Sequence, residues 1–355
     1  MNKKDLLQEK VLSKIEEYFR CGVILGTGSG KTLLIIKDME KHLTDDSLFL
    51  VTVKRNGLKK EFLEELKKHN KTKLKTHIKF VNYLSLHKED PLMYDKVYLD
   101  ECHNLKFTHT QFLSKYNGPI LGLTGTYPKY KNSETGRMCE RFCPAKLKFK
   151  IDKAINEKML NDYVIYIHYL ELSKLPVIKT KNGHMSEEAL YKMWNRICEK
   201  TPTQINRIMR MKAIQGFATK VDYAKKLLAN LQGKTIIFTE KIEHAQEISN
   251  YSYHSKSKNA SDILDNFKKG MINELATVQM ISEGANIPNL ENCIVLHSYA
   301  NEHRFAQRLG RMLRLNPDQK ATIHLLVYRN TIDEEWSKKA LADFSKQKIL
   351  VWKKI

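Results

Sequence analysis

The chain has 355 residues, of which 42% are hydrophobic and 28% are charged, which is an ordinary composition for a globular protein. Its 61 lysines and arginines outnumber its 40 aspartates and glutamates, and the net charge of +21 indicates a polyanionic partner. No apolar run approaches the roughly 18 residues of a membrane span, and the six cysteines form no CxxC pair. We therefore expect an intracellular protein with no membrane attachment, no disulfide framework and no structural metal.

A glycine-rich turn lies between a predicted strand and a predicted helix near residue 30. The apolar run Gly22–Leu25 predicts a buried strand, and the periodic run Leu33–Met39 predicts a helix. The backbone N–H groups of such a turn can surround a phosphate, at which the positive end of the helix dipole also points. Lys31 would reach the β- and γ-phosphates of a nucleotide, and the Thr32 hydroxyl would bind Mg²⁺. The predicted nucleotide-binding residues of this turn are Gly26, Thr27, Gly28, Ser29, Gly30, Lys31 and Thr32.

Two residues near this turn leave alternatives open. Leu25 stands where the P-loop consensus has a glycine, so an ordinary glycine turn at a strand end is the alternative interpretation. Gln8 lies on a helix predicted over residues 3–19, and its amide can read the edge of an adenine. An exposed helical glutamine with no ligand is the alternative for Gln8.

A predicted strand at residues 96–100 ends in two adjacent carboxylates. Two charges at the end of a buried strand are costly unless something uses them. With a P-loop upstream, Asp100 would hold Mg²⁺ through water, and Glu101 would accept a proton from the attacking water. A solvated pair of loop carboxylates is the alternative.

Strands alternate with helices through the first half of the chain. Predicted strands at 47–53, 76–82 and 119–123 indicate a parallel, doubly wound α/β sheet, whose ligands bind at the carboxyl ends of strands. Small hydroxyls that follow the last of these strands could sense a γ-phosphate or link two elements through hydrogen bonds. Residues predicted at this functional edge are Lys54, Arg55, Tyr83, Thr124 and Thr126.

The motifs LGTGSGKT, LDECH and LTGTYP, in this order, resemble those of the first RecA-like domain of a superfamily 2 helicase. The DECH form is similar to that of phage UvsW-type branched-DNA helicases, repair and transcription helicases, and type I restriction motor subunits. The resemblance implies two tandem RecA-like parallel-sheet domains, at residues 1–149 and 150–355. We expect the helical segment 187–231 to lie between them or early in the second domain, with Pro202 and Gly216 as breaks.

The second half carries motifs that match this resemblance. Residues 235–240 resemble helicase motif IV, residues 282–288 resemble motif V, and residues 307–314 match the QRxGRxxR pattern of motif VI. The resemblance implies that ATP lies in a cleft between the two domains and that nucleic acid crosses both. It assigns ATP chemistry to Gln307, Arg311 and Arg314, nucleotide contacts to Gly284 and Asn286, and nucleic-acid contacts to Lys54, Arg55, Tyr83, Thr239 and Ser282.

Two of these assignments can be weighed on the residues themselves. Arg311 and Arg314 are one helical turn apart and can point the same way, so they could stabilise charge on the γ-phosphate. A basic surface helix would look similar. Aspartate is commoner than asparagine where Asn286 stands, which bears on the ribose contact.

The sequence as a whole predicts an ATP- and Mg²⁺-dependent DNA helicase or translocase, acting as a monomer in viral or phage replication, recombination or repair. DECH in place of DEAD favours DNA over RNA, which remains the alternative substrate. A nucleic-acid-binding scaffold with an inactive ATPase is the alternative from another class, and the intact catalytic positions argue against it.

Overall fold

A computed structural model describes residues 3–25, 30–53, 56–125, 127–128, 130–149, 162–181, 183–257, 259–278, 287–297, 320–342 and 344–352. The chain divides into two compact units, Met1–Leu160 and Asn161–Ile355. Among the described residues, no helix combines the length and the apolar character that crossing a membrane requires.

Unit 1 is a parallel sheet of six strands in the order β3-β2-β4-β5-β1-β6. Its strands are β1 (Arg20–Leu25), β2 (Phe49–Val53), β3 (Ile78–Asn82), β4 (Lys96–Asp100), β5 (Ile120–Thr124) and β6 (Ala145–Phe149). Its helices are α1 (Lys3–Ile15), α2 (Lys31–Lys41), α3 (Asn56–Lys68), α4 (Thr110–Leu113) and α5 (Glu134–Phe142).

Both faces of this sheet are buried, and successive side chains of a strand pack into different apolar clusters. Phe49 and Val51 of β2 pack in one apolar cluster with residues of α1, α2 and α3. Leu50, between them, packs in a second cluster with residues of α4 and α5. Side chains of a strand alternate between faces, so an apolar run of this kind needs a helical layer on each side.

Unit 2 is a parallel sheet of seven strands in the order β11-β12-β10-β13-β14-β7-β15, with a separate antiparallel hairpin of β8 and β9. Its strands are β7 (Tyr163–Leu170), β8 (Ile178–Thr180), β9 (Gly183–Met185), β10 (Thr235–Thr239), β11 (Ser252–Tyr253), β12 (Glu274–Val278), β13 (Asn292–Val295), β14 (Ala321–Tyr328) and β15 (Ile349–Val351). Its helices are α6 (Glu187–Lys200), α7 (Gln204–Gln215), α8 (Thr219–Asn230), α9 (Ile242–Ile248), α10 (Ala260–Lys269) and α11 (Ile332–Ala340).

The helical segment expected at 187–231 consists of α6, α7 and α8 and lies early in unit 2. Ser186 and Thr203 cap the first two helices, each through a side-chain oxygen that accepts a backbone N–H bond. Pro202 and Gly216 fall in the two breaks between helices. The predicted fold class, two tandem α/β units with parallel sheets and a helical segment, is confirmed.

A buried ion pair ties three elements of unit 2 together. Lys220 Nζ of α8 lies 2.6 Å from Asp333 Oδ2 of α11, and neither side chain is exposed. The same carboxylate oxygen accepts the Tyr328 N–H of β14 at 2.9 Å. Burial raises the pKa of Asp333 and lowers the pKa of Lys220, and the attraction between the two groups opposes both shifts.

We expect Asp333→Asn to lower the free energy of unfolding by about 3–5 kcal/mol, because it leaves the Lys220 ammonium buried without its counter-charge. Replacing both residues by apolar ones, Lys220→Met with Asp333→Leu, should cost less than the single change. Urea unfolding of the three proteins measures both effects. The exposed pair Lys192–Glu188 on α6 is the control, and Glu188→Gln should leave the unfolding midpoint unchanged. Equal small losses for Asp333→Asn and Glu188→Gln would show that the buried pair does not support the fold.

Candidate nucleotide site

Helix α2 begins at the position that the glycine-rich turn predicts. Gly30 is its N-cap residue, with φ of 82° and ψ of 40°, a left-handed conformation that glycine adopts without strain. The Gly30 carbonyl accepts the Leu34 N–H at 2.9 Å, so the helix starts directly after it. The free N–H groups and positive dipole end of α2 therefore lie beside Lys31 and Thr32, where an anion is favoured.

Lys31 and Glu101 form an ion pair at the carboxyl edge of the six-stranded sheet of unit 1. Lys31 Nζ lies 2.6 Å from Glu101 Oε1, and the two side chains are 10% and 24% exposed. Glu101 follows β4 and Lys31 follows β1, and β5 lies between these strands in the sheet. The parallel topology thus brings the two motifs together at one edge, although 70 residues separate them.

Glu101 is held in place from several directions. Its φ of 51° lies in the left-handed region, which is costly for a residue that is not glycine. Its second oxygen, Oε2, lies 3.3 Å from His103 Nδ1 and accepts a hydrogen bond from Thr124 Oγ1 at 3.4 Å. Asn104 Nδ2 donates to the Glu101 carbonyl at 2.9 Å. These contacts fix both the backbone and the carboxylate of the residue expected to act as the base.

The two adjacent carboxylates differ in their proton affinity. Burial, and then the neighbouring Glu101 carboxylate, raise the pKa of Asp100 to about 6. Burial alone would also raise the pKa of Glu101, but the Lys31 ammonium and the contact with His103 outweigh it and hold that pKa below its usual range. Glu101 is therefore the more acidic member of the pair, and it keeps its charge at pH values where Asp100 takes up a proton.

Thr124 links the end of β5 to this cluster. It is fully buried, and its Oγ1 lies 2.8 Å from His103 Nδ1, in addition to its contact with Glu101. The expectation that the hydroxyls after β5 sense a phosphate or join two elements remains a prediction, and Thr124 has the geometry for the second role. Sequence reasoning did not select His103, although its place directly after the carboxylate pair was the available signal.

Gln8 lies next to the start of α2. Its side chain is 2% exposed, and its Nε2 donates to the Gly30 carbonyl at 3.2 Å. Its Oε1 is buried and has no hydrogen-bond partner within the described part of the chain. The predicted contact with an adenine is untested, and the observed bond supports the P-loop turn directly.

Two residues expected to contact nucleic acid are buried in the structure. Tyr83 is 4% exposed, and its hydroxyl donates to the Asp100 carbonyl at 2.8 Å. Thr239 is fully buried, and its Oγ1 donates to the Lys241 carbonyl at 3.1 Å. Contact of either residue with nucleic acid stays a prediction.

The remaining site residues chosen from the sequence lie outside the described residues. They are Gly26, Thr27, Gly28, Ser29, Lys54, Arg55, Thr126, Ser282, Gly284, Asn286, Gln307, Arg311 and Arg314. The structure thus brings together Lys31, Glu101 and Thr124, with Asp100 beside them and Gly30 and Thr32 at the start of α2.

The donors at this edge fit a magnesium nucleotide. Thr32 offers a hydroxyl and Asp100 a carboxylate, both oxygen ligands that suit Mg²⁺. Lys31 and the N-terminus of α2 supply positive charge for phosphates. Glu101 supplies a carboxylate that can accept a proton from water.

Comparison with known proteins identifies two families along the chain. Residues 5–129 match the family described as "Type III restriction enzyme, res subunit", and residues 219–316 match "Helicase conserved C-terminal domain". A curated relative, the DNA 3'-5' translocase XPB2 of Sulfurisphaera tokodaii, is 27% identical over 128 residues. That match covers 34% of this chain and 29% of XPB2.

Two solved structures share the fold across nearly the whole chain. The ATP-dependent type ISP restriction-modification enzyme LlaBIII, bound to DNA, matches with a TM-score of 0.64 and 14% identity, over 99% of this chain and 31% of its own. S. cerevisiae Dbp5, bound to RNA and ADP BeF3, matches with a TM-score of 0.57 and 13% identity, over 94% of this chain and 85% of its own. At these identities the likeness concerns the fold alone. The two family matches and the two parallel-sheet units together place this chain in superfamily 2 of the helicases, with RecA-like domains.

Proposed function

We propose that the protein is an ATP-dependent DNA helicase or translocase that hydrolyses ATP to move along or remodel DNA. The observation that carries this proposal is the ion pair of Glu101 with Lys31 at the carboxyl edge of the sheet of unit 1. Asp100 and Thr124 lie next to Glu101. A phosphate-binding lysine, a metal-binding carboxylate and an ionised base in one place are the parts that ATP hydrolysis requires.

The contacts suggest how this chain's residues would act in hydrolysis. Lys31 would leave Glu101 for the β- and γ-phosphates, because a polyphosphate offers more negative charge than one carboxylate. Glu101, released from that ion pair, would orient the attacking water and accept its proton, while His103 and Thr124 hold the carboxylate in place. Mg²⁺, held by Thr32 and Asp100, would neutralise charge on the phosphates. Glu101 would start this cycle already ionised.

The proposed mechanism also involves residues of unit 2. RecA-like domains at residues 1–149 and 150–355 would act together, with Gln307, Arg311 and Arg314 acting on the same phosphates as Lys31, and Gly284 and Asn286 touching the nucleotide. Lys54, Arg55 and Ser282 are the proposed nucleic-acid contacts, and they would bind phosphates, with little sequence preference. Thr126 would work with Thr124 to couple the ATP site to these contacts.

DNA is the favoured substrate. XPB2 is named a DNA translocase, and LlaBIII was solved bound to DNA, which supports this choice. Dbp5, of the same fold, was solved bound to RNA, so RNA is the second candidate. We place the activity inside the cell, in replication, recombination or repair of viral or phage DNA, and expect a monomer.

ATP hydrolysis measured without polymer, with single-stranded DNA, duplex DNA, forks, Holliday junctions and RNA tests the proposal. We expect DNA to stimulate turnover more than RNA does. Greater stimulation by RNA would reassign the substrate. Polymer binding with no hydrolysis under any condition would favour a scaffold with an inactive ATPase.

The net charge of +21 leads us to expect that affinity for nucleic acid falls steeply with salt. Log affinity should fall linearly with log salt, by about 0.7–0.9 for each phosphate neutralised, because binding releases condensed counterions. Fluorescence anisotropy with one labelled oligonucleotide across a salt series measures the slope. A flat response would show that the basic surface is not the binding surface.

A further inference from the structure

Three cysteines of unit 1 form a buried sulfur cluster next to the carboxylate pair. The Sγ atoms of Cys102, Cys139 and Cys143 all lie within 4.8 Å of one another. All three residues have no exposed surface. Cys102 directly follows Glu101, Cys139 lies in α5, and Cys143 is the C-cap residue directly after α5. We call these three residues the cysteine cluster.

The backbone holds the members of the cysteine cluster together. Cys139 Sγ donates to the Cys102 carbonyl at 3.4 Å, which joins α5 to the turn after β4. The Cys143 N–H donates to the Cys139 carbonyl at 2.9 Å, so these two residues occupy adjacent turns of one helical end. A thiol-to-carbonyl hydrogen bond therefore links two segments that stand 37 residues apart in sequence.

Glycines on two strands make room for Cys143, one beside its side chain and one beside its main chain. A Cβ atom at Gly122 of β5 would lie 2.7 Å from Cys143 Cβ and 2.8 Å from its Sγ. A Cβ atom at Gly22 of β1 would lie 2.4 Å from the Cys143 carbonyl oxygen. Each separation is well below van der Waals contact. Any larger residue at Gly122 would push Cys143 away from the other two thiols.

We propose that Cys102, Cys139 and Cys143 form a trithiolate site for a thiophilic d¹⁰ cation, Zn²⁺ or Cu⁺. Three sulfurs at about 2.3 Å from one ion stand about 4 Å apart, which is within the 4.8 Å limit on the separations in the cysteine cluster. Thiolate ligands select these ions over hard cations such as Mg²⁺. On binding, each coordinated thiol releases its proton to solvent, so Cys139 gives up its hydrogen bond to the Cys102 carbonyl and the bond to the ion replaces it.

The number of available ligands distinguishes the two candidate ions. Among the described residues, no fourth histidine, cysteine, aspartate or glutamate joins the cysteine cluster. Zn²⁺ in a structural site takes four ligands, so it would need a further oxygen or water here. Cu⁺ is satisfied by three sulfurs. Because the cluster has no exposed surface, either ion would enter while the chain folds.

Such an ion would cross-link the turn after Asp100 and Glu101 to helix α5. This expectation about a structural ion is independent of the proposed function, since it concerns thiols and not the phosphate site. It departs from the expectation of no structural metal that the sequence gives. Cys139 and Cys143 stand four residues apart in the sequence, and the fold adds a third sulfur from a different segment.

The test is the metal content of the full chain made in cells supplied with added zinc, added copper or neither, and purified under reducing conditions without chelators. Native mass spectrometry counts bound ions. X-ray absorption at the metal edge identifies the ligands. We expect one ion per chain with three sulfurs at about 2.3 Å, and the metal identified decides between Zn²⁺ and Cu⁺.

Cysteine-to-serine variants test which residues bind the ion. Cys139→Ser and Cys143→Ser should each lose the ion, whereas Cys21→Ser, a buried cysteine of the same unit, should keep it. A parent chain with no ion, or with nitrogen and oxygen ligands only, would overturn the proposal. Retention of the ion by both Cys139→Ser and Cys143→Ser would do the same. If those variants fail to fold, the ligand set of the parent decides alone.

Discussion

Glu101→Gln should lower ATP turnover by a factor of about 10²–10⁴ while the protein still binds Mg²⁺ and ATP. An amide cannot accept the proton of the attacking water, although it keeps the shape of the carboxylate. The variant should then hold nucleic acid in its ATP-bound state. Turnover under saturating polymer, with nucleotide affinity measured on the same preparation, tests this.

The ion pair adds a second expectation for this variant. In the parent, Lys31 is paired with Glu101 at 2.6 Å, and a nucleotide must displace that carboxylate. Glu101→Gln removes the competing charge, so nucleotide affinity should stay the same or increase. Glu64→Gln, at an exposed position of α3, is the control and should leave both quantities unchanged. Hydrolysis near the parent rate would exclude Glu101 as the base.

Arg314→Ala and Arg311→Ala should each lower polymer-stimulated turnover by a factor of about 10³–10⁵, with a much smaller change in nucleotide affinity. A guanidinium that acts on charge developing in the transition state contributes little to ground-state binding. Lysine at either position should restore little activity, because an ammonium lacks the planar pair of donors.

Arg329→Ala is the matched control for these arginines. Arg329 is an exposed arginine of unit 2 whose guanidinium lies 4.9 Å from the centre of the Tyr169 ring. Its removal should leave turnover unchanged. Parent-like turnover in Arg311→Ala and Arg314→Ala would mean that unit 2 does not complete the ATP site, and the proposed mechanism would fail.

Motif residues that follow the end of a strand were predictable from the sequence. An apolar run followed by glycines and Lys31, and another followed by Asp100 and Glu101, fix both the strand and its chemistry, because parallel strands present their carboxyl ends at one edge. The same logic predicted α6, α7 and α8, since their breaks carry a proline and a glycine. The edge strands β6 and β15 carried no comparable signal, because no motif residues follow them in the sequence.

Contacts between distant segments could not be predicted. Tyr83 follows a strand and was expected at the surface, but its hydroxyl reaches the Asp100 carbonyl and its ring is buried. The cysteine cluster depends on the approach of α5 to the turn after β4, which no local pattern encodes. Both arrangements are set by tertiary packing, which sequence spacing does not specify.

The position of β7 in its sheet bears on how the chain emerges from a ribosome. β7 pairs on one side with β14, and on the other with β15, through Ile165 and Ile349 among other pairs. Unit 1 has its six described strands by residue 149 and can fold while synthesis continues. β7, made next, must wait with both edges unpaired until residues 321–328 and 349–351 have been translated. Nascent chains stalled before residue 320 should therefore bind chaperones through this apolar strand, whereas a chain that ends at residue 162 should, once released from the ribosome, contain a folded first unit.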